Sequence, residues 1–260
     1  MKYIILCADD YGQTCAISQA IIDLLKSRRL TAISCMVTSS GWPLHAPWLI
    51  PYKNQVDIGL HFNLTEGKGP LSLLLLKSHL RQLHKHTIRA ELNTQLDQFI
   101  SAMGVLPDFI DGHQHVHQFP VIRDVLFEIY EERLRDHGCY IRCIDDPRAI
   151  WNVKKLILQL TGAAAFKKSL AARKIPHNQS FSGVYAFSKL DQYESLFRSF
   201  LKDIKQGGLM MCHPGLEDAG SMDPIHASRL KEYEFMKSEQ YVKLLDEAQV
   251  RLVRFNELKI

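Results

Sequence analysis

A short apolar run that ends in two adjacent aspartates constrains this chain more than any other stretch. Residues 3–8 are mostly apolar, and their aromatic and β-branched side chains favour a buried strand. Asp9 and Asp10 follow at once. Two like charges at the end of a buried strand are unfavourable unless a cation or a shared proton offsets their repulsion. The pair therefore favours a metal-binding or catalytic role over simple capping of the next helix.

Length and composition narrow the class of protein. The chain has 260 residues, of which 46% are hydrophobic, and this is ample for a core. No stretch approaches the roughly 18 apolar residues of a membrane span, and the apolar N-terminus is too short for a signal peptide. The net charge of +4 is weak, and no basic run is interleaved with aromatic residues. We therefore expect a cytoplasmic protein with neither a membrane nor a nucleic acid as partner.

The cysteines are typical of a cytosolic protein, whereas the histidines are unusual. The six cysteines include no CxxC pair, so we predict reduced thiols in the core of a cytosolic protein. They are Cys7, Cys15, Cys35, Cys139, Cys143 and Cys212. The twelve histidines are more unusual, because several of them follow apolar runs.

Short apolar strands alternate with segments of helical periodicity along the rest of the chain. Further strands are predicted over residues 31–37, 57–62, 109–112, 139–144, 181–187, 209–212 and 250–255. Helices are predicted over residues 15–29, 89–103, 120–135, 151–173, 192–205 and 229–248. This alternation is typical of α/β proteins, and about seven units fit a closed or nearly closed (β/α) barrel better than an open sheet. Without an internal repeat or a linker, residues 1–260 are predicted to form a single domain.

A leucine-rich run, Leu71–Leu76, has no clear place in this alternation. The interpretation we favour is a buried turn of helix. A lid over the site or a contact with a partner is the alternative.

Polar residues without an evident folding role share one position, the carboxyl end of a predicted strand. In a (β/α) barrel these ends gather on one face, where active sites form. The residues concerned are Asp9, Asp10, His61, His113 and His213, with Arg142 near the end of another strand.

One aspartate and two histidines are a sensible ligand set for a divalent metal ion. Three protein ligands leave positions open for water and substrate, as in catalytic sites, and the set also resembles the facial triad of non-haem iron proteins. Among His113, His115 and His117, we favour His113 as ligand because it comes first after the apolar run. His115 and His117 then support the ligands or contact substrate, and a ligand role for one of them stays open.

Four blocks of sequence resemble the signature of the YdjC-like carbohydrate deacetylase family, which includes chitooligosaccharide deacetylases and is related to the NodB-type polysaccharide deacetylases. The blocks occur in family order, and they are Ala8–Gly12, Gly59–Gly67, Asp111–His117 and Met211–Gly215. The resemblance implies a deformed barrel of seven or eight strands. It also implies hydrolysis of the acetyl group of an N-acetylated sugar, with help from one divalent metal ion.

The resemblance further implies a metal site. By position in the blocks, the ligands would be Asp10, His61 and His113. Family resemblance favours Mg²⁺, whereas imidazole ligands also suit Zn²⁺ or another transition metal.

It implies three catalytic roles as well. Asp9 matches the general base, His213 the general acid, and Arg142 the residue that orients the base. The third block departs from the common family pattern Asp-Ser-His-His-His-Val-His, because Gly112 and Gln114 replace the serine and the middle histidine.

Two other functions compete with this one. A metal-dependent hydrolase of another amide, an ester or a phosphoester fits the same scaffold, but a phosphoesterase would call for more carboxylates and a cationic clamp. A non-catalytic sugar-binding protein would not need Asp9 or His213, and both are present. The substrate sugar and the formation of a homodimer stay open at this stage.

Overall fold

The strand that begins the chain is the centre of one parallel sheet. The computed structural model describes residues 1–65, 69–145, 162–187 and 192–258. Its strands are β1 (Lys2–Tyr11), β2 (Ala32–Cys35), β3 (Asp57–Phe62), β4 (Phe109–Gly112), β5 (Tyr140–Ile141), β6 (Phe181–Ser182), β7 (Leu209–Cys212) and β8 (Val250–Leu252). They lie in the order β5-β4-β3-β2-β1-β7-β6, and β8 pairs with the first residues of β1.

Helices connect these strands. They are α1 (Cys15–Lys26), α2 (Trp42–His45), α3 (Leu71–His79), α4 (Lys85–Met103), α5 (Ile122–Ile129), α6 (Ala163–Ala172), α7 (Tyr193–Asp203), α8 (His226–Lys237) and α9 (Glu239–Glu247). Because every pairing in the sheet is parallel, the carboxyl ends of the strands meet at one face.

The sheet curls into a barrel of the predicted (β/α) type. The two edges of the sheet approach each other through a parallel bridge between Ile141 of β5 and His177, which precedes β6. Asn178 adds to this junction, since its side chain accepts from Cys143 N–H and donates to the Cys143 carbonyl, both at 2.8 Å. Side-chain hydrogen bonds thus join the segment that follows β5 to the segment that precedes β6.

Alternation along β1 separates two apolar regions. Ile5 and Cys7 face the barrel interior, where they pack with residues such as Phe109 and Tyr140. Ile4, Leu6 and Ala8, which alternate with them, pack in the larger core between the sheet and its helices. With a side-chain period of two, Asp9 follows Cys7 into the interior, directly at the mouth of the barrel.

Several predicted boundaries were wrong, for local reasons. The helix predicted over 229–248 is two helices, because Ser238 has an extended backbone and its side chain caps α9 at Tyr241 N–H. The strand predicted over 181–187 has only two residues in the ladder. After α5 the chain continues as a π-helical turn over Tyr130–Leu134, not as a regular helix to residue 135. Of the helix predicted over 151–173, residues up to 161 lie outside the described part.

Two predictions about burial also fail. Leu71–Leu76 does lie in a helix, α3, but only one face of it is half-buried against the core. Leu73 is 45% exposed and Leu76 is 56% exposed. Five of the six cysteines are buried, whereas Cys15 is exposed at the first position of α1. In the part of the chain that the structure describes, no helix is long and apolar enough to cross a membrane.

Candidate active site

The carboxyl ends of β1, β3, β4 and β7 surround a cavity of about 280 Å³. Five of the six site residues predicted from the sequence line it. They are Asp9, Asp10, His61, His113 and His213. The sixth, Arg142, is fully buried and contacts Asp9 from inside the barrel.

A bulge in β1 explains how two consecutive aspartates reach the same cavity. Successive side chains on a regular strand point to opposite faces, so Asp10 should point away from Asp9. Between Ala8 and Tyr11 the register against β2 shifts by one residue, and Asp10 has a left-handed backbone with φ of 67°. Bulges of this kind redirect a side chain near functional sites. Here the bulge turns Asp10 to the barrel mouth beside Asp9.

Three potential metal ligands converge at this mouth. Asp10 Oδ1 lies 3.3 Å from His61 Nε2 and 3.0 Å from His113 Nδ1, and the two ring nitrogens are 3.4 Å apart. One carboxylate oxygen and two imidazole nitrogens that all line a cavity are a donor set that fits a divalent ion. Neither His115 nor His117 belongs to a group of this kind among the described residues.

The neighbours of His61 fix which of its nitrogens faces the cavity. His61 Nδ1 lies 2.6 Å from Asp111 Oδ1 and 2.9 Å from Ser34 Oγ, so it carries a proton and leaves Nε2 to face Asp10. Burial lowers the pKa of His61, but the Asp111 and Asp10 carboxylates outweigh it and raise that pKa to about 10. At neutral pH, Nε2 of His61 therefore carries a proton as well as Nδ1. A cation bound at Nε2 must displace that proton.

Arg229 neutralises the other oxygen of Asp10. Its Nη2 lies 2.7 Å from Asp10 Oδ2, and only 3% of Arg229 is exposed. Burial raises the pKa of Asp10, but the charges of Arg229 and His113 overcome this and hold the pKa well below its usual value. Asp10 is therefore an anion at neutral pH, as a metal ligand must be.

Asp9 belongs to a separate, fully buried ion cluster. Arg142 donates to both Asp9 oxygens, from Nη1 at 2.7 Å and from Nη2 at 2.6 Å, and its Nη2 also lies 2.6 Å from Asp111 Oδ2. The bidentate contact fixes the plane of the Asp9 carboxylate. Asp9 and Asp10 are thus paired with different arginines and have different surroundings.

His213 directly follows β7, which pairs with β1 on the side away from β2. Its Nε2 lies 3.9 Å from Asp9 Oδ2, and its ring packs edge-on against Phe187. The His213 backbone N–H donates to buried Glu232 at 2.6 Å. The imidazole therefore faces the same cavity as the three potential ligands.

The histidines of the third block are separated by a tight turn. Gln114 and His115 both have a left-handed backbone, with φ of 52° and 60°, in the 3₁₀ segment His113–Gln118. As a result His113 reaches Asp10, whereas His115 lies elsewhere on the cavity wall against Phe181. His117 is buried, and its Nε2 contacts the Arg142 carbonyl at 3.0 Å.

Sequence reasoning missed four residues that support this site: Ser34, Asp111, Arg229 and Glu232. Asp111 lies inside a recognised block, two residues before His113, so a search for the partner of a histidine ligand could have found it. Arg229 is 219 positions from Asp10 in the chain, and no local pattern marks it.

Comparisons with known proteins find relatives that match nearly the whole chain. A family model described as YdjC-like protein matches residues 3–247. A chitooligosaccharide deacetylase of Proteus mirabilis is 25% identical over 98% of each chain. A carbohydrate deacetylase of Clostridium beijerinckii is also 25% identical, over 98% of this chain and 99% of the relative.

Among solved structures, a protein of Enterococcus faecalis provisionally named as a cellobiose-phosphate cleavage protein superposes with a TM-score of 0.73. It is 18% identical, and the match covers 100% of this chain and 99% of that protein. At this identity the likeness concerns the fold alone, and it agrees with the (β/α) barrel described above.

Replacement of Arg142 tests the buried ion cluster. In Arg142→Met, Asp9 and Asp111 lose their cation, and we expect the free energy of unfolding at pH 7 to fall by about 3–5 kcal/mol. Burial raises the pKa of Asp111, but Arg142, together with His61 and Ser34, outweighs it and holds the pKa below the usual value. A carboxyl group with a lowered pKa stabilises the folded state at pH values above its unfolded-state pKa of about 4. This stabilisation is lost as the pH falls below that value.

The difference between the two proteins should accordingly be largest near neutral pH and shrink below about pH 4. Urea unfolding at several pH values measures it. Arg198→Met is the matched control, because Arg198 pairs with Glu247 on the surface. A surface ion pair of this kind contributes about 0–1 kcal/mol to stability. A cost no greater than that of the control would contradict a stabilising role for the cluster.

Proposed function

This chain belongs to the YdjC-like family, and we propose that it is a carbohydrate deacetylase that uses one divalent metal ion to remove the acetyl group of an N-acetylated sugar. The products are acetate and an amino sugar. Relatives of nearly the same length carry the names chitooligosaccharide deacetylase and carbohydrate deacetylase. A chitooligosaccharide or a similar N-acetylated sugar is therefore the substrate we propose.

One observation carries the proposal: a three-atom donor set and a separately held carboxylate share one cavity. Asp10, His61 and His113 would hold the ion, since their ligand atoms all lie within 4.8 Å of one another. Asp9 is close by, but both of its oxygens are bound by Arg142. Hydrolysis of an amide needs both a Lewis acid and a base, and this cavity offers a candidate for each.

An amide is a poor electrophile, and its amine is a poor leaving group. An ion at this site would supply Lewis acidity, which polarises the acetyl carbonyl and lowers the pKa of a nearby water. Asp9 accepts the proton of the attacking water, and Arg142 keeps the carboxylate oriented for this transfer. His213, whose Nε2 lies 3.9 Å from Asp9 Oδ2, donates a proton to the departing nitrogen, so that a neutral amine leaves.

The identity of the ion rests on the donor set. Two imidazoles and one carboxylate suit Zn²⁺ and similar transition metals, whereas resemblance to the family favours Mg²⁺. A second group, Cys7, Asp9 and Asp111, also lies together in the interior. Arg142 already supplies the positive charge there, so we propose one ion and not two.

We further propose that residues 1–260 act as one domain in the cytoplasm and form a homodimer. Five buried cysteines without disulfides fit a reducing compartment. Among the described residues, the exposed leucines of α3 offer an apolar surface for a second copy. Gel filtration with light scattering tests the dimer.

Acetate release tests the proposed activity. The purified protein should release acetate from at least one member of a panel of N-acetylated mono- and oligosaccharides, after Mg²⁺, Zn²⁺ or Co²⁺ is added to chelator-treated enzyme. Release without any metal, or no release from the whole panel, would refute the proposal.

Asp10→Asn and His61→Ala should lose the ion in metal analysis, because each removes one of three ligands. Full metal occupancy in both variants would mean that the ion is held elsewhere.

Substitution of Asp9 separates the base from the ligands. Asp9→Asn should keep the ion yet lose at least about 10²-fold in acetate release, the usual scale for a general base. Metal content and rate are measured on the same sample. Activity near that of the unaltered enzyme would leave Asp9 as only the partner of Arg142.

Substitution of His213 tests the general acid through the leaving group. His213→Ala should slow deacetylation of an amide by about 10²-fold or more, because its nitrogen needs a proton to leave. Deacetylation of an aryl acetate, whose phenolate leaves without a proton, should slow far less. Equal losses on both substrates would show that His213 positions the substrate or the attacking water instead.

A further inference from the structure

Helix α8 carries two buried charged residues one turn apart. Arg229 is 3% exposed and Glu232 is not exposed at all. Residues three apart lie on the same face of a helix, so both point towards the barrel. Burying a charge costs several kcal/mol unless partners compensate for it. The partners of these two residues therefore indicate what the helix face does.

Arg229 fixes the direction of Asp10. Its Nη2 binds Asp10 Oδ2 at 2.7 Å and Gln13 Oε1 at 3.2 Å, and its Nε binds the Asp223 carboxylate. Because Arg229 occupies Oδ2, the other oxygen of Asp10 is directed at His61 and His113. Asp223 and Gln13 anchor the guanidinium itself, so the Asp10 carboxylate cannot rotate without breaking its hydrogen bond to Arg229.

Glu232 fixes the point from which His213 projects. Its Oε2 accepts the backbone N–H of His213 at 2.6 Å. Tyr185 and Tyr193 donate their hydroxyls to the same carboxylate, at 2.6 and 3.2 Å. A second hydrogen bond joins helix α8 to the segment after β7, since Gly215 N–H donates to the Arg229 carbonyl at 3.1 Å. No lysine or arginine pairs with Glu232 among the residues the structure describes.

We propose that Arg229 and Glu232 are positioning residues, through which one helix sets both the metal ligand Asp10 and the acid His213. The inference rests on the proposed function for the roles of Asp10 and His213. A merely structural role would change stability, whereas a positioning role changes two separate properties. Arg229 governs metal affinity, and Glu232 governs the state of the His213 ring.

Metal affinity tests the Arg229 half, measured by chelator competition on the metal-loaded protein with Zn²⁺. Arg229→Gln should weaken binding by about 10–100-fold, the usual effect of losing a hydrogen bond to a ligand. Arg229→Lys should recover part of the loss, because it keeps the charge and one donor to Asp10. The control is Arg198→Gln, whose residue pairs with Glu247 on the surface. Unchanged affinity in Arg229→Gln overturns this half, and so does tighter binding, which would mean that repulsion between the guanidinium and the ion dominates.

The His213 ring tests the Glu232 half. Glu232→Gln keeps the size of the side chain but alters the acceptor for the His213 N–H. We expect the ¹⁵N–¹H ring resonances of His213 to shift in this variant, with metal affinity unchanged and no such shift in Arg198→Gln. Amide deacetylation should fall at least about tenfold, with a smaller loss on an aryl acetate. Unmoved ring resonances overturn this half.

These readouts keep two failures apart. An unaltered enzyme that releases no acetate refutes the proposed function. The metal affinity of Arg229→Gln and the His213 resonances of Glu232→Gln still decide whether helix α8 positions the site.

Discussion

The ion cluster of Arg142 with Asp9 and Asp111 is the interaction on which the rest of the site depends. It joins the carboxyl ends of β1 and β4 to the residue that follows β5, in the barrel interior, where all three side chains are buried. Asp111 also holds His61 Nδ1, so the arginine acts on the three-atom donor set through one intermediate. Arg142 is in turn fixed by His117 at its carbonyl. The orientation of Asp9, the proposed base, and of His61, a proposed ligand, thus depends on a single buried cation.

The two adjacent aspartates have different cationic partners. Asp9 pairs with Arg142 inside the barrel, and Asp10 pairs with Arg229 from helix α8. Each carboxylate is neutralised on one side, which removes the repulsion expected from their adjacency. The bulge in β1 is the geometric condition for this arrangement, because it lets consecutive side chains reach one cavity from different directions.

Much of the fold followed from local patterns. Short apolar strands in alternation with amphipathic helices predicted the parallel barrel, and the strand-end rule placed Asp9, Asp10, His61, His113 and His213 on one face. Details failed where local sequence competes with tertiary context. Ser238 breaks a helix whose periodicity continues through it. The leucines of α3 were predicted to be buried, but two of them are exposed, because hydrophobicity alone does not say which face of a helix packs against the core.

The sequence by itself determined which residues stand at the strand ends, and hence the proposed ligands, base and acid, because residue type and strand position are both local. Only the tertiary structure decided how these groups are held. Arg229 and Glu232 come from a helix more than two hundred residues after Asp10, and their partners are chosen by packing across the barrel. Whether the third block forms a strand or a turn was also undecided by spacing, and the left-handed backbone at Gln114 and His115 settles it as a turn.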